Sequence, residues 1–95
     1  MSKEVACNKI NDMVKYLNIP YDIMKFDVIN DEKNCFSHYL VEISGGNNGK
    51  NDWLTYLFEI RRLFVMLNYE FTDVWLVKIE NDCPDDIHYI TIGVR

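Results

Sequence analysis

A membrane-spanning helix needs roughly 18 or more consecutive apolar residues, and no run in this sequence approaches that length. Met1 is followed by Ser2, Lys3 and Glu4 and then by an amphipathic pattern, so the apolar core of a secretory signal is missing as well. A soluble, cytoplasmic chain is the expectation. Cysteine is scarce: Cys7, Cys35 and Cys83 are an odd number without a secretory signal, which argues against a disulfide framework and for reduced thiols. Positive charge is in short supply too, with 10 Lys and Arg against 15 Asp and Glu and a net charge of −5. Direct nucleic-acid binding relies on basic side chains to displace counterions from phosphates, so a protein with a basic surface fits better as partner.

Apolar residues are not lacking. They make up 48% of the 95 residues, with 26% charged, the balance of a globular chain and not of a disordered one. Residues 1–95 are long enough for one core and one domain.

Ala6, Ile10, Met13, Val14 and Leu17 recur at helical steps, with Ser2 as N-cap and Pro20 preventing continuation, which predicts an amphipathic helix over Ser2 to Leu17. Tyr21 to Ile29 alternates like a strand, with Met24, Phe26 and Val28 on one face and Ile23, Lys25 and Asp27 on the other. "NDEKN", Asn30 to Asn34, reads as a turn, and Phe36 to Ser44 as the returning strand. The pattern then starts again. Tyr56, Ile60, Leu63, Phe64 and Leu67 repeat the phase of the first helix, Trp75, Val77 and Ile79 fall where Met24, Phe26 and Val28 did, and "HYITIG" at His88 answers "HYLVEI" at His38.

Residues 1–44 and 52–95 therefore read as two αββ pseudo-repeats joined by a glycine-rich linker, 45–51. One misfit stands: the first copy favours Tyr39, Val41 and Ile43 as its inward face, whereas the last strand is apolar at Ile90, Ile92 and Val94. The expected fold is a two-layer α+β sandwich, a four-stranded antiparallel sheet with two helices on one face, in a circularly permuted ferredoxin-like order.

Three stretches carry the residue types of a chemical site. "SGGNNGKNDW", Ser44 to Trp53, holds three of the four glycines and Lys50 ahead of a helix, but Asn51 stands where a phosphate loop needs Ser or Thr, so it reads as a joint. Cys35, His38, Cys83 and His88 have the ligand types of tetrahedral zinc without its tight knuckles. They form only a subsidiary alternative, and no metal or other cofactor is expected. "ENDCPDDIHY", Glu80 to Tyr89, concentrates carboxylates near a histidine, the pattern of a solvated turn more than of paired catalytic groups. No catalytic residue is assigned, and an enzyme is not expected.

The second helix is apolar nearly all the way round, with Leu54, Leu57, Phe58 and Val65 off its core stripe, and Ile23, Val74 and Leu76 point to the sheet face away from the helices. Such excess in a small chain marks a contact surface. The function expected is a non-enzymatic protein-binding module, an inhibitor that docks on a basic surface of its partner, for instance a nuclease or other nucleic-acid-binding effector. Asp31, Glu32, Asp82, Asp85 and Asp86 would steer, and Trp53, Tyr56 and Phe58 would anchor. Asn, Lys, Ile and Tyr usage suits an AT-rich microbial or phage genome, where anti-CRISPR-like proteins, immunity proteins and antitoxins are the matching classes. The alternatives are a homodimeric structural or regulatory domain and a small-ligand or metal-dependent enzyme built on the glycine loop or the Asp-His turn.

Overall fold

The computed structural model describes residues 1–31, 33, 36–46, 53–82 and 87–95. Its elements run α1 (Lys3–Lys15), β1 (Tyr21–Asp31), β2 (Phe36–Gly46), α2 (Trp53–Glu70), β3 (Val74–Asp82) and β4 (Ile87–Val94). Ser2 caps α1 from extended backbone, its hydroxyl oxygen accepting the Val5 N–H at 3.2 Å. Glu4 in the first turn and Lys15 in the last complement the helix dipole. Leu, Met, Glu and Arg, all good helix formers, carry α2 through 18 residues, about 27 Å at 1.5 Å per residue.

The four strands form one sheet in the order β1-β2-β4-β3, with every neighbouring pair antiparallel. The class is α+β. Ile10 of α1 and Leu63 and Leu67 of α2 close on Val41, Ile43, Ile92 and Val94 of the two central strands, and none of these seven is more than 2% exposed. The helices therefore share one face of the sheet. Four strands spaced by about 4.8 Å span about 19 Å, which two helices of about 10 Å diameter fill side by side. Each helix then has one side against the sheet and its opposite side in solvent.

Each edge strand carries one register shift, between Ile23 and Lys25 in β1 and between Leu76 and Lys78 in β3. A bulge adds one residue and reverses the side-chain phase on its far side. Beyond the bulges the alternation holds as the sequence predicts, with Phe26 and Ile79 packed against the core. Before them it inverts. Ile23 pairs with Ile43 and Val74 with Val94, and both pack against the core, whereas Met24 is 58% exposed. Leu76 likewise pairs with core-facing Ile92, although it stays 46% exposed at the sheet edge. Trp75, expected under the helices, instead pairs with Gly93 on the opposite face and sets its ring 5.3 Å from that of His38.

The last strand resolves the misfit in the repeat. Ile90, Ile92 and Val94 face the helices, paired with Ile43, Val41 and Tyr39. His88, two residues before Ile90, shares their face and is 4% exposed, while His38 lies on the other. The matched "HY" dipeptides are thus not equivalent positions in space. The uncovered sheet face is mixed, with Leu40, Ile29 and Trp75 among Lys25, Asp27, Glu42, Lys78 and Glu80, and it carries the ion pairs Lys25–Asp27 (3.4 Å) and Lys78–Glu80 (3.3 Å).

Candidate interaction surface

Successive residues of α2 turn by about 100°, so Val65 points about 180° away from Tyr56, and Leu54 and Phe58 lie about 20° to either side of it. Tyr56 is 1% exposed in the core. The residues opposite it are open: Leu54 61%, Phe58 61%, Val65 49% and Tyr69 85% exposed. They form a continuous apolar ridge along the outer side of the helix. The outer side of α1 differs, since Lys3, Glu4, Asn8, Asp12 and Lys15 are its exposed residues beside Val5. Burying a Leu or Phe side chain fully is worth about 1.5–3 kcal/mol, so a partner covering this ridge would gain a substantial driving force.

Two arginines flank the ridge, and they differ in their commitments. Arg62 donates to the Glu59 carboxylate at 3.1 Å and, through its other terminal nitrogen, to the Tyr16 carbonyl oxygen at 3.3 Å. Glu59 is 4% exposed and also accepts the Asn18 backbone N–H at 2.7 Å and the Asn18 side-chain amide at 3.2 Å. This network fastens the end of α1 to α2. Arg61, on the opposite flank, makes no ion pair among the described residues. Phe58, Arg61, Arg62, Val65 and Met66 line a shallow depression of about 440 Å³ on the ridge.

Of the expected anchors, Phe58 is on this surface. Tyr56 is not; its helical phase turns it inward, and it belongs to the core. The Trp53 side chain lies outside the described residues. Of the acidic positions, Asp31 and Asp82 end strands at opposite ends of the sheet. Asp31 ends β1 beside Phe36, Asp82 ends β3 beside Ile87, and Ile87 pairs with Gly46 at the far end of β2, so the two turns leave opposite ends of the sheet. Glu32, Asp85 and Asp86, and the side chains of Asp31 and Asp82, are outside the described residues.

The same register separates the histidines: His88 pairs with Gly45, seven residues along β2 from His38, about 23 Å at 3.3 Å per residue. His38 and His88 are also on opposite faces. Cys35, Cys83 and the stretch 47–52 with Lys50 lie outside the described residues, and among those described no three His, Cys, Asp or Glu side chains converge. Glu80 pairs with Tyr89 on the open face, away from His88.

A buried polar cluster escaped the sequence reading. Tyr56 meets His88 with ring centroids 3.7 Å apart and planes tilted by 42°, and meets Tyr21 edge-on at 6.4 Å, with Glu59 one turn further along α2. Burial, then the proximity of Tyr56 and Glu59, raises the Tyr21 phenol well above its ordinary value of 10.0. Tyr21 packs over Gly45, where a Cβ would run into its ring. Tyr56 and His88 were legible as chemistry-bearing residues, but nothing in the spacing showed that both turn inward to the same place. No protein-family model matches the chain, and neither a curated protein nor a solved structure matches it.

Proposed function

We propose that this chain is a non-enzymatic protein-binding module, of the inhibitor type directed at nucleic-acid-processing effectors, and that its contact surface is the outer ridge of α2. The observation that carries the reading is the exposure of Leu54, Phe58, Val65 and Tyr69 on the side of α2 opposite the core. Side chains of this size in a continuous row are what an interface uses for affinity. The net charge of −5 steers the whole molecule toward a basic partner at long range, while the ridge makes the close contact. Asp31 and Asp82, which end β1 and β3, lie at opposite ends of the sheet.

The fold proposed with this reading is a permuted ferredoxin-like arrangement made by duplication of an αββ unit. It is supported by the strand order β1-β2-β4-β3 and by the recurrence, after each edge-strand bulge, of a lysine paired to a carboxylate two residues on: Lys25 with Asp27, Lys78 with Glu80.

Affinity capture with matched variants tests the docking reading. Wild type and a Lys25→Glu, Lys78→Glu variant of the open sheet face should recover the same partner protein, and a Phe58→Asp, Val65→Asp variant of unchanged melting temperature should lose it. Retention by the ridge variant, with loss by the sheet variant, would move the interface to the sheet.

A further inference from the structure

We propose that the occupant of the α2 ridge is an amphipathic helix of another protein with a carboxylate in the middle of its apolar seam, held by Arg61. This rests on the ridge being the docking surface. Leu54, Phe58, Arg61 and Val65 follow at steps of four, three and four residues, the spacing with which one α-helix presents a seam to another. Tyr69 extends it by a further step of four. Arg61 and Arg62 border this otherwise apolar seam on its two sides, and Arg61 is the one of the two that makes no ion pair among the described residues.

A helix laid on this seam would take the Arg61 guanidinium out of water. An unpaired buried charge is strongly unfavourable, whereas a carboxylate placed against the guanidinium makes two parallel hydrogen bonds of fixed geometry. Arg62 cannot serve in its place, since its terminal nitrogens are engaged by Glu59 and the Tyr16 carbonyl. The Arg61 guanidinium therefore selects a carboxylate over a lysine at that one position of the seam, in a partner whose surface is otherwise basic.

A second copy of this chain is the wrong occupant. An antiparallel pair centred on the ridge would set Leu54 against Tyr69 and Phe58 against Val65, and would bring Arg61 and Arg62 of both copies together. A parallel pair opposes Arg61 to Arg61. Like charges facing across an interface cost several kcal/mol.

Two synthetic helical peptides, identical except for glutamate or lysine at the central seam position, test this by titration against wild type, Arg61→Glu and Phe58→Asp. Wild type should bind the glutamate peptide at least about tenfold more tightly than the lysine peptide, Arg61→Glu should invert that preference, and Phe58→Asp should weaken both. Equal binding of the two peptides, binding of neither, or a preference that survives Arg61→Glu overturns the acidic helix while leaving the ridge in place if Phe58→Asp still abolishes partner capture. Undiminished peptide binding by Phe58→Asp overturns the ridge itself. Wild type sedimenting as a dimer that Phe58→Asp dissociates would identify a second copy as occupant, and Phe58- and Arg61-dependent adsorption to phosphatidylserine vesicles without peptide binding would identify a membrane surface; each overturns the proposal.

Discussion

The backbone N–H of Asn18 donates to the carboxylate of Glu59 at 2.7 Å, across 41 residues of sequence. The chain leaving α1 thus finds its acceptor on α2, in a Glu59 side chain that is itself 4% exposed. The same carboxylate engages Arg62, so the first exit turn, the second helix and one border of the ridge are held by a single side chain.

Glu59→Ala should lower the unfolding free energy by about 1.5–3 kcal/mol, because it removes the carboxylate that accepts from the Asn18 N–H and side-chain amide and releases Arg62. Glu59→Gln, which keeps one acceptor oxygen for Asn18, should cost about 1 kcal/mol. Urea unfolding of the two variants checks the order.

Gly93 lies under the Trp75 indole, and a Cβ there would enter the ring. Gly93→Ala should therefore destabilise by about 1–3 kcal/mol as the indole is pushed off the strand. With Trp75→Ala already present, the added methyl should cost less than half as much. A double-mutant cycle in urea measures the coupling.

Tyr21 gives the alkaline limb of stability a cause. Its phenol is raised in the folded state, so the fold holds the proton more tightly than the unfolded chain does. Stability from this group is complete below the ordinary phenol value of 10.0 and is lost as pH rises from there toward the folded value. Tyr21→Phe should flatten the decline above pH 10.0 and cost little at neutral pH, because the Tyr21 hydroxyl is buried without a hydrogen-bond partner among the described residues. Unfolding curves at increasing alkaline pH compare the two proteins.

The ridge and the core should separate thermodynamically. Phe58→Ser and Val65→Ser, at exposed positions, should change the unfolding free energy by less than about 0.5 kcal/mol. Leu63→Ala, on the inner side of the same helix and 1% exposed, should cost about 2–5 kcal/mol.

Element order, the Ser2 cap and the inward stripes of both helices were legible in the sequence because a continuous helix keeps its period from end to end. The excess of apolar residues on α2 was legible for the same reason. Edge strands keep their period only up to a bulge, and alternation alone does not reveal where the extra residue falls. That is why Phe26 and Ile79 keep the expected face while Ile23, Met24, Val74, Trp75 and Leu76 do not, and Val77, at the bulge, is 47% exposed. Tyr56 is an aromatic that suits either an anchor or the core stripe; its helical phase decides for the core, where it is 1% exposed. The Glu59–Asn18 bond and the meeting of Tyr21, Tyr56 and His88 depend on contacts between distant elements, which no local spacing encodes.

The most direct measurement of the central claim places a photo-crosslinking residue at successive single positions of α2 in the cell. Adduct yield with a partner should rise at 54, 58, 65 and 69, fall between them with a period near 3.6 residues, and stay low at Lys25 and Lys78 on the open sheet face. Yield that is uniform along the helix, or highest at the sheet positions, would contradict the ridge as the surface through which this chain acts.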